Sequence, residues 1–318
     1  MVELIDRVFL AGYGSEYATH DDSATLNLAA GDIAFTTDSY VVDPLFFPGG
    51  DIGRLAVAGT VNDLLTAGAR PLFLSASFII EEGFPVPQLT RLVASMRQTA
   101  AEAGVRIVTG DTKVVPRGAA DQVFITTAGV GLILRPGISG TAARPGDRVL
   151  LTGSIGDHGT AVMLAREKLL DVAGLESDTA PLTGLVLDLL EAGVEIHAMR
   201  DPTRGGIAAS LNEIARQSQV AMEIDEARVP VKPEVAAACE ALGLDPFQVA
   251  NEGKMLILLA EKDADRALAL ARQSPYGQEA QIIGAVKKAP PGRVQVRTRL
   301  GTNRFLDPPS GELLPRIC

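Results

Sequence analysis

The sequence predicts an α/β protein built as two layered domains, an α+β arrangement, with a flexible C-terminal tail. Three observations carry this. Strand-like and helix-like segments are mixed in both halves of the chain, the pattern of sheets covered by helices. The segment 135–147 (RPGISGTAARPGD) holds two Pro and three Gly and breaks the periodicity on either side, as a linker between units does. At 318 residues the chain is long for one core and short for three. The expected units are 1–140, 147–300, and a tail over 301–318 whose Pro, Gly and polar residues suit a tether.

In the first unit, Leu4, Ile5, Val8 and Phe9 have helical spacing. Ile33–Tyr40 alternates as a strand, and the loop after it, Asp43 to Asp51, is rich in Phe, Pro and Gly. Ile52–Ala67 has helical period and carries Asn62 and Asp63 inside an apolar run. Leu72–Ile80 reads as a strand, and Gln88–Ala103 as an amphipathic helix closed by Gly104. Two more strands are expected at Arg106–Thr109 and Gln122–Leu134, with Gly110-Asp111-Thr112-Lys113 as a polar turn.

The second unit opens with a strand, Arg148–Thr152, then the turn Gly153 to Gly159, then a helix from about Thr160. Helices follow at Leu182–Glu191, Ile207–Gln217, Val235–Leu242 and Ala264–Arg272. Met255–Ala260 and Gln281–Val286 read as strands. No short-period repeat or low-complexity tract interrupts the chain.

Composition narrows the function. A formal net charge of −10 argues against nucleic acid or an anionic membrane as the main partner. Two cysteines, Cys239 and Cys318, are too few for a disulfide framework, so a reducing cytoplasm is expected. The apolar runs are broken well short of a membrane span. Aromatic residues make up 4% and Trp is absent, so the core is expected to be aliphatic.

Several residues have the chemistry of a phosphate-handling site. Asp22, Asp38, Asp63 and Asp111 stand at strand ends or in loops, where Mg²⁺ is held by one or two carboxylates plus substrate phosphates. Asp63, among apolar neighbours, needs a partner or a metal if it is buried. Glycine-rich turns precede helices at Gly49-Gly50, Gly156–Gly159 and Thr203-Arg204-Gly205-Gly206, and such turns present N–H groups to anions. Neither a Walker A pattern nor a dinucleotide fingerprint is present. Lys113 is either a solvated loop lysine or a group that meets phosphate charge. Glu252, beside Gly253, is either a turn residue or a general base. The three histidines lack zinc-ligand spacing, and His158 alone sits in a turn suited to chemistry. Cys239 reads as a small buried hydrophobe, and Cys318 as a thiol on a movable end.

Together the stretches TTDSYVVDPLFFPGGDIGRLA, GTVNDLLTAGARP, VTGDTKVVPRGAAD, GSIGDHG, RDPTRGG, VANEGK and PRIC resemble the HypE hydrogenase-maturation family. That family lies within the ATP-binding superfamily of aminoimidazole ribonucleotide synthetase. The matches run from about residue 31 to 318, while the opening residues do not match the His- and Gly-rich start of the family pattern. The resemblance implies the two superfamily domains and an ATP- and Mg²⁺-dependent carbamoyl dehydratase. Its substrate would be its own Cys318, carbamoylated by HypF, dehydrated to a thiocyanate, and relieved of cyanide by a HypC–HypD complex for the iron of a [NiFe] hydrogenase. It also implies a homodimer whose N-terminal sheets pair into a barrel. On this reading Asp22, Thr37, Asp38, Asp63, Asp111 and Arg204 contact the nucleotide, with Asp38, Asp63 and Asp111 holding the metal. Lys113 stabilises transferring charge, Glu252 and His158 are the base candidates, and Arg316 and Ile317 are recognised in the channel. Other synthetases of the superfamily act on small molecules and leave Cys318 unexplained.

Overall fold

Alternation of apolar and polar side chains creates a sheet with one dry face in the first half of the chain. The computed structural model describes residues 24–28, 31–167, 174–309 and 316–318; the expected helix at Leu4–Phe9 and the candidate Asp22 lie outside them. Five strands form this sheet: β1 (Ala24–Leu28), β2 (Gly31–Tyr40), β5 (Ala69–Glu81), β6 (Arg106–Val115) and β7 (Val123–Ile133), in the order β1-β2-β7-β5-β6. All neighbours are antiparallel except β5 and β6. On β7, Val123, Ile125 and Thr127 are fully buried while their alternates are not, the period of two that places one face in a core. Two short strands, β3 (Phe46–Phe47) and β4 (Gly50–Asp51), pair in the loop after β2.

Two helices cover that dry face. Helix α1 (Ile52–Thr66) starts where the Asp51 carboxylate accepts from the N–H groups of Gly53 and Arg54 at 2.8 and 3.0 Å, satisfying donors the helix leaves open. It is buried on nearly all sides, as a helix apolar all round must be. Helix α2 (Val86–Ala103) buries Leu92, Met96, Ala100 and Ala103 along one stripe and ends at Gly104, whose φ of 68° is left-handed.

The second half builds a seven-stranded sheet in the order β14-β13-β10-β12-β8-β11-β9. Its strands are β8 (Arg148–Leu151), β9 (Ile196–Arg200), β10 (Ala221–Asp225), β11 (Leu256–Leu259), β12 (Gln281–Lys287), β13 (Arg293–Arg297) and β14 (Asn303–Phe305). The helices are α3 (Asp157–Glu167), α4 (Thr183–Glu191), α5 (Gly206–Gln217), α6 (Pro233–Leu242) and α7 (Ala264–Ala271). Strands β8 and β11 are continuous apolar runs because both their faces are buried. Val149, Leu151, Leu256 and Leu258 join Ile207, Leu211 and Ile214 of α5 in one core. Leu150, Ile257 and Leu259 face the other way, into a core shared with α4, α7 and α1 of the first half. The two sheets are therefore joined by continuous apolar packing through α1.

The structure corrects several expectations. Gly110–Lys113 is not a turn but the middle of β6, which runs unbroken from Arg106 to Val115. Almost every residue of that strand is exposed, so nothing selects against polar side chains there. Of the turn expected at Gly156–Gly159, only Gly156 stands outside the helix, and Asp157–Gly159 already form the first turn of α3. Strands β9, β10 and β13 escape a search for apolar runs because they are short and mix charges or His with their buried residues. The tether does not begin at 301: β14 pairs with β13, and Leu306 is buried while its carbonyl accepts from Asn212 Nδ2 at 2.7 Å.

Candidate functional site

Three loops that are far apart in sequence meet at one buried side chain, Asn251. Its Oδ1 accepts from Gly156 N at 2.7 Å, and its Nδ2 donates to the carbonyls of Pro202 and Val249 at 3.0 and 3.1 Å. These bonds tie Gly153–Gly159, Arg200–Gly206 and Val249–Lys254 into one wall. Residue 253 of this wall must be glycine, because a Cβ at Gly253 would stand 1.8 Å from the Asp178 carbonyl oxygen. A second buried amide, Asn62 of α1, donates to Ala180 O at 3.0 Å and accepts from Leu182 N at 2.9 Å. It fixes the first domain against this wall. Sequence reading quoted both asparagines only as parts of motifs; an amide within an apolar or glycine-rich run is the signal that could have singled them out, since a buried amide must find partners.

The chain's last residues lie in the cleft between this wall and the end of β2. Val41 N donates to Cys318 O and Asp43 N to Arg316 O, both at 3.2 Å, so the tail adds to the backbone as an extra strand would. Between these bonds, His158 Nε2 meets Ile317 O at 2.8 Å, and His158 Nδ1 lies 2.8 Å from Ser177 Oγ. A carbonyl only accepts, so Nε2 carries the proton and Nδ1 accepts from the serine. Burial also lowers the His158 pKa and keeps the ring neutral. Both nitrogens are thus committed, and this geometry makes His158 a holder of the tail instead of a proton acceptor. Ile317 is 3% exposed and packs into the shared core. The last three residues are docked in this structure.

The Cys318 thiol faces the functional groups. Burial first, then the Glu252 carboxylate, push its pKa up to about 12, although Arg204 hydrogen-bonds the sulfur and opposes the shift. Glu252 is itself buried, and its Oε1 has no hydrogen-bond partner. Desolvation, then Asp201, Asp38 and Asp178, raise its carboxyl well above the usual range. Asp201 is raised to about 6, mainly by desolvation. Asp38 has solvent-exposed surface on β2, yet enough protein surrounds its carboxyl for desolvation to raise it too. Asp63, on α1, accepts from Thr36 Oγ1 at 3.0 Å. Tyr40 stands within electrostatic reach of Asp38, Asp63 and Glu252, and desolvation followed by these charges holds its hydroxyl protonated. The fold therefore gathers Asp38, Tyr40, Asp63, Asp201, Arg204, Glu252 and Cys318 around one space. Perturbed carboxyls in a cleft mark a site for chemistry. Tyr40 and Asp201 had no separate place in the sequence reading.

Two candidate groups lie elsewhere in the single chain. Ser39 pairs with Thr126, Thr126 with Ser77, and Ser77 with Asp111. Asp111 is thus level with the Asp38 end of β2 but three strands away, roughly 14 Å at the usual strand spacing. There it is exposed and bound to Lys113 Nζ at 3.0 Å, which draws its carboxyl below the ordinary value. The expected trio Asp38, Asp63 and Asp111 is not assembled within one chain. Thr37 is also displaced, because neighbours on a strand point to opposite faces. Its hydroxyl donates to Thr127 O at 3.1 Å.

Among the described residues no three His, Cys, Asp or Glu side chains form a metal cluster. The donor set nonetheless fits Mg²⁺ arriving with a polyphosphate, which uses one or two protein carboxylates and keeps oxygen ligands of its own. Asp38 and Asp63 are the carboxylates available for it. A separate polar cleft of about 610 Å³ lies behind Ser177 and Thr179, lined also by Arg54, Asp157, Asp178, Lys232 and Lys254. Lysines already meet both of its buried aspartates, and Cys318 is not in its lining.

Comparison with known proteins agrees with this architecture. Residues 20–133 match the N-terminal domain of AIR synthase related proteins, and residues 144–297 match the C-terminal domain. The carbamoyl dehydratase HypE of Rhizobium leguminosarum bv. viciae is 54% identical over 321 residues, covering 100% of this chain and 92% of its own. A crystal structure of a HypE–HypF complex superposes with a TM-score of 0.91 at 49% identity, covering 96% of this chain and 99% of the other. A crystal structure of HypE in complex with ATP gives 0.88 at 50% identity, covering 100% and 96%. With both domains of the AIR synthase related fold and about half its residues shared along the whole chain, this protein belongs to the HypE family of hydrogenase maturation proteins.

Proposed function

We propose that this chain is an ATP-dependent carbamoyl dehydratase whose substrate is the carboxamide carried on its own Cys318. The observation that supports this most directly is the placement of the Cys318 sulfur among Glu252, Arg204 and Asp38. A tail that serves only as a docking peptide has no need to bring a thiol to buried acids.

The chemistry requires removal of one water from R–S–C(=O)–NH₂. Amide oxygen is a poor leaving group, and ATP converts it into a good one. The oxygen takes the γ-phosphoryl group and ADP departs. The nitrogen then gives up both protons as the C–O bond breaks, leaving R–S–C≡N and inorganic phosphate. Arg204, already bonded to the sulfur, is placed to meet charge on the neighbouring oxygen. Glu252 is the base: its free Oε1 points to no other donor, and a raised carboxyl pKa makes its carboxylate a stronger proton acceptor. Asp38 and Asp63 would hold Mg²⁺, which supplies charge neutralisation to the phosphates when bound. His158 holds the tail by the Ile317 carbonyl and so keeps the carboxamide in register.

A docked thiol with a pKa of about 12 is not a thiolate at neutral pH and is a poor nucleophile. Carbamoylation of the thiol therefore belongs to a released state, on HypF, and delivery of the cyanide to a HypC–HypD complex belongs to a second release. The open face of the first sheet, with the apolar side chains of Phe35, Ile79 and Leu132 exposed to solvent, is the surface through which two copies pair as a homodimer. The edge strand β6 of the partner then supplies Asp111 and Lys113 to the site. The deciding experiment follows the intact mass of the protein with HypF, carbamoyl phosphate and ATP. One carbamoyl group is gained and one water is then lost, and neither change occurs in Cys318→Ala. The same two changes in that variant would refute the self-substrate reading.

A further inference from the structure

The charged residues around Arg316 have no part in the dehydration, yet they converge on it from both domains. Arg316 Nη2 lies 3.2 Å from Asp43 Oδ2, and Nη1 donates to Asp121 Oδ2. Asp43 follows β2, and Asp121 precedes β7, so both acids belong to the first domain. From the second domain, Arg166 at the end of α3 donates through Nε to Asp43 O at 2.8 Å and through Nη2 to Arg316 O. Its Nε is also 3.9 Å from Asp43 Oδ2. Arg316 adopts a φ of 53°, a left-handed conformation that residues with a Cβ take up only when their surroundings impose it.

We infer that Asp43, Asp121 and Arg166 form an ionic latch that selects arginine two residues before Cys318 and sets how long the tail stays in the cleft. The backbone bonds to Cys318 O, Ile317 O and Arg316 O are available to any sequence, since they read only carbonyls. Ile317 adds apolar fit. The guanidinium supplies the distinguishing contact, because its planar fork meets two carboxylates through separate nitrogens in a fixed geometry, which the single ammonium of a lysine does not reproduce. About 43% of the Arg316 side chain, 45% of Asp121 and 32% of Asp43 remain in solvent. Pairs so exposed are weak singly and screened by salt. That suits a latch for a substrate arm that must leave twice in each cycle. A fully buried pair would hold it too well. The purpose of the latch rests on the tail chemistry proposed above, but its existence does not.

The test uses the labelling rate of Cys318 by a thiol-specific maleimide, read by intact mass without ATP, HypF or carbamoyl phosphate. Cys239, buried at 1% exposure, serves as an internal report on folding. Arg316→Gln is expected to speed Cys318 labelling by about fivefold to tenfold, the factor that loss of two exposed ion pairs gives. Arg316→Lys should fall between, and Asp121→Asn should lie below Arg316→Gln. Raising salt should speed labelling of the wild type and leave Arg316→Gln unchanged. The latch is refuted if the wild-type rate ignores salt, or if Arg316→Gln labels at the wild-type rate with Cys239 protected. Failure of the self-substrate reading would show in the mass experiment above and would leave these rates untouched.

Discussion

The cleft around Glu252 and the edge strand β6 carry the same kinds of side chain in opposite states. Glu252 is buried, with one oxygen unpartnered and a carboxyl raised by desolvation. Asp111 on β6 is exposed, paired with Lys113, and lowered. Their sequence settings look alike, each an acid beside glycine and two residues before a lysine. What separates them is the matter around them: two domains close over Glu252, while one face of one sheet leaves Asp111 in water. An acid beside glycine acquires a raised pKa only where the fold removes solvent and withholds a partner.

The comparison breaks first at Glu252. Glu252→Gln should keep the tail docked and lower dehydration of the carbamoylated protein by about 10²-fold or more, the range of a lost general base. Single-turnover conversion to the thiocyanate, followed by mass, measures it; a loss under about threefold would remove Glu252 from the proton transfer. Beside the other region, Ile79→Asp on β5, the register partner of Lys113, should shift the protein from dimer to monomer in sedimentation and reduce activity with it. A subtler version asks which chain β6 serves. Lys113→Ala and Glu252→Gln homodimers should both be weak, while mixed dimers regain part of the activity because one of their two sites is intact. Absence of such recovery would confine Lys113 to its own chain or to no role.

Smaller effects test the walls of the cleft. Asn251→Ala strips the buried Gly156 N–H of its partner and leaves the Pro202 carbonyl with only the backbone N–H of residue 251, which should lower stability by about 2 kcal/mol in denaturant unfolding. A cost below about 1 kcal/mol would mean that the three loops are held by other contacts. Asp201 gives a pH signature in the nucleotide-free protein. Its folded pKa of about 6 lies above its ordinary value of 3.8, so the folded state binds the proton more tightly. Its contribution is complete below about pH 4 and is lost as pH rises through 6. Asp201→Asn should therefore flatten the fall in stability between these values, by no more than about 3 kcal/mol. Parallel curves for wild type and variant would show that burial does not raise this group.

Much of the fold was legible in the chain. Strand β2, helices α1 and α2 and the apolar runs β8 and β11 followed from period and turn chemistry, because each buries a face whose spacing is written locally. Asp38, Arg204, Glu252 and Cys318 come from separate motifs, and the fold brings them within electrostatic reach of one another. Position along the chain could not reveal that Thr37 faces away from Asp38, that His158 has both nitrogens occupied, or that Asp111 lies three strands off. Nor could it reveal Asp43, Asp121 and Arg166 as partners of Arg316.

The sequence by itself determined the elements whose period is written locally, such as β2, α1, α2, β8 and β11, and the inventory of reactive groups, since hydrophobic period, caps and residue chemistry are local properties. The tertiary structure alone decided which acids lose water, which histidine nitrogen carries a proton, and where the last three residues lie. Those outcomes depend on burial and on distances between segments more than a hundred residues apart, and only packing sets them.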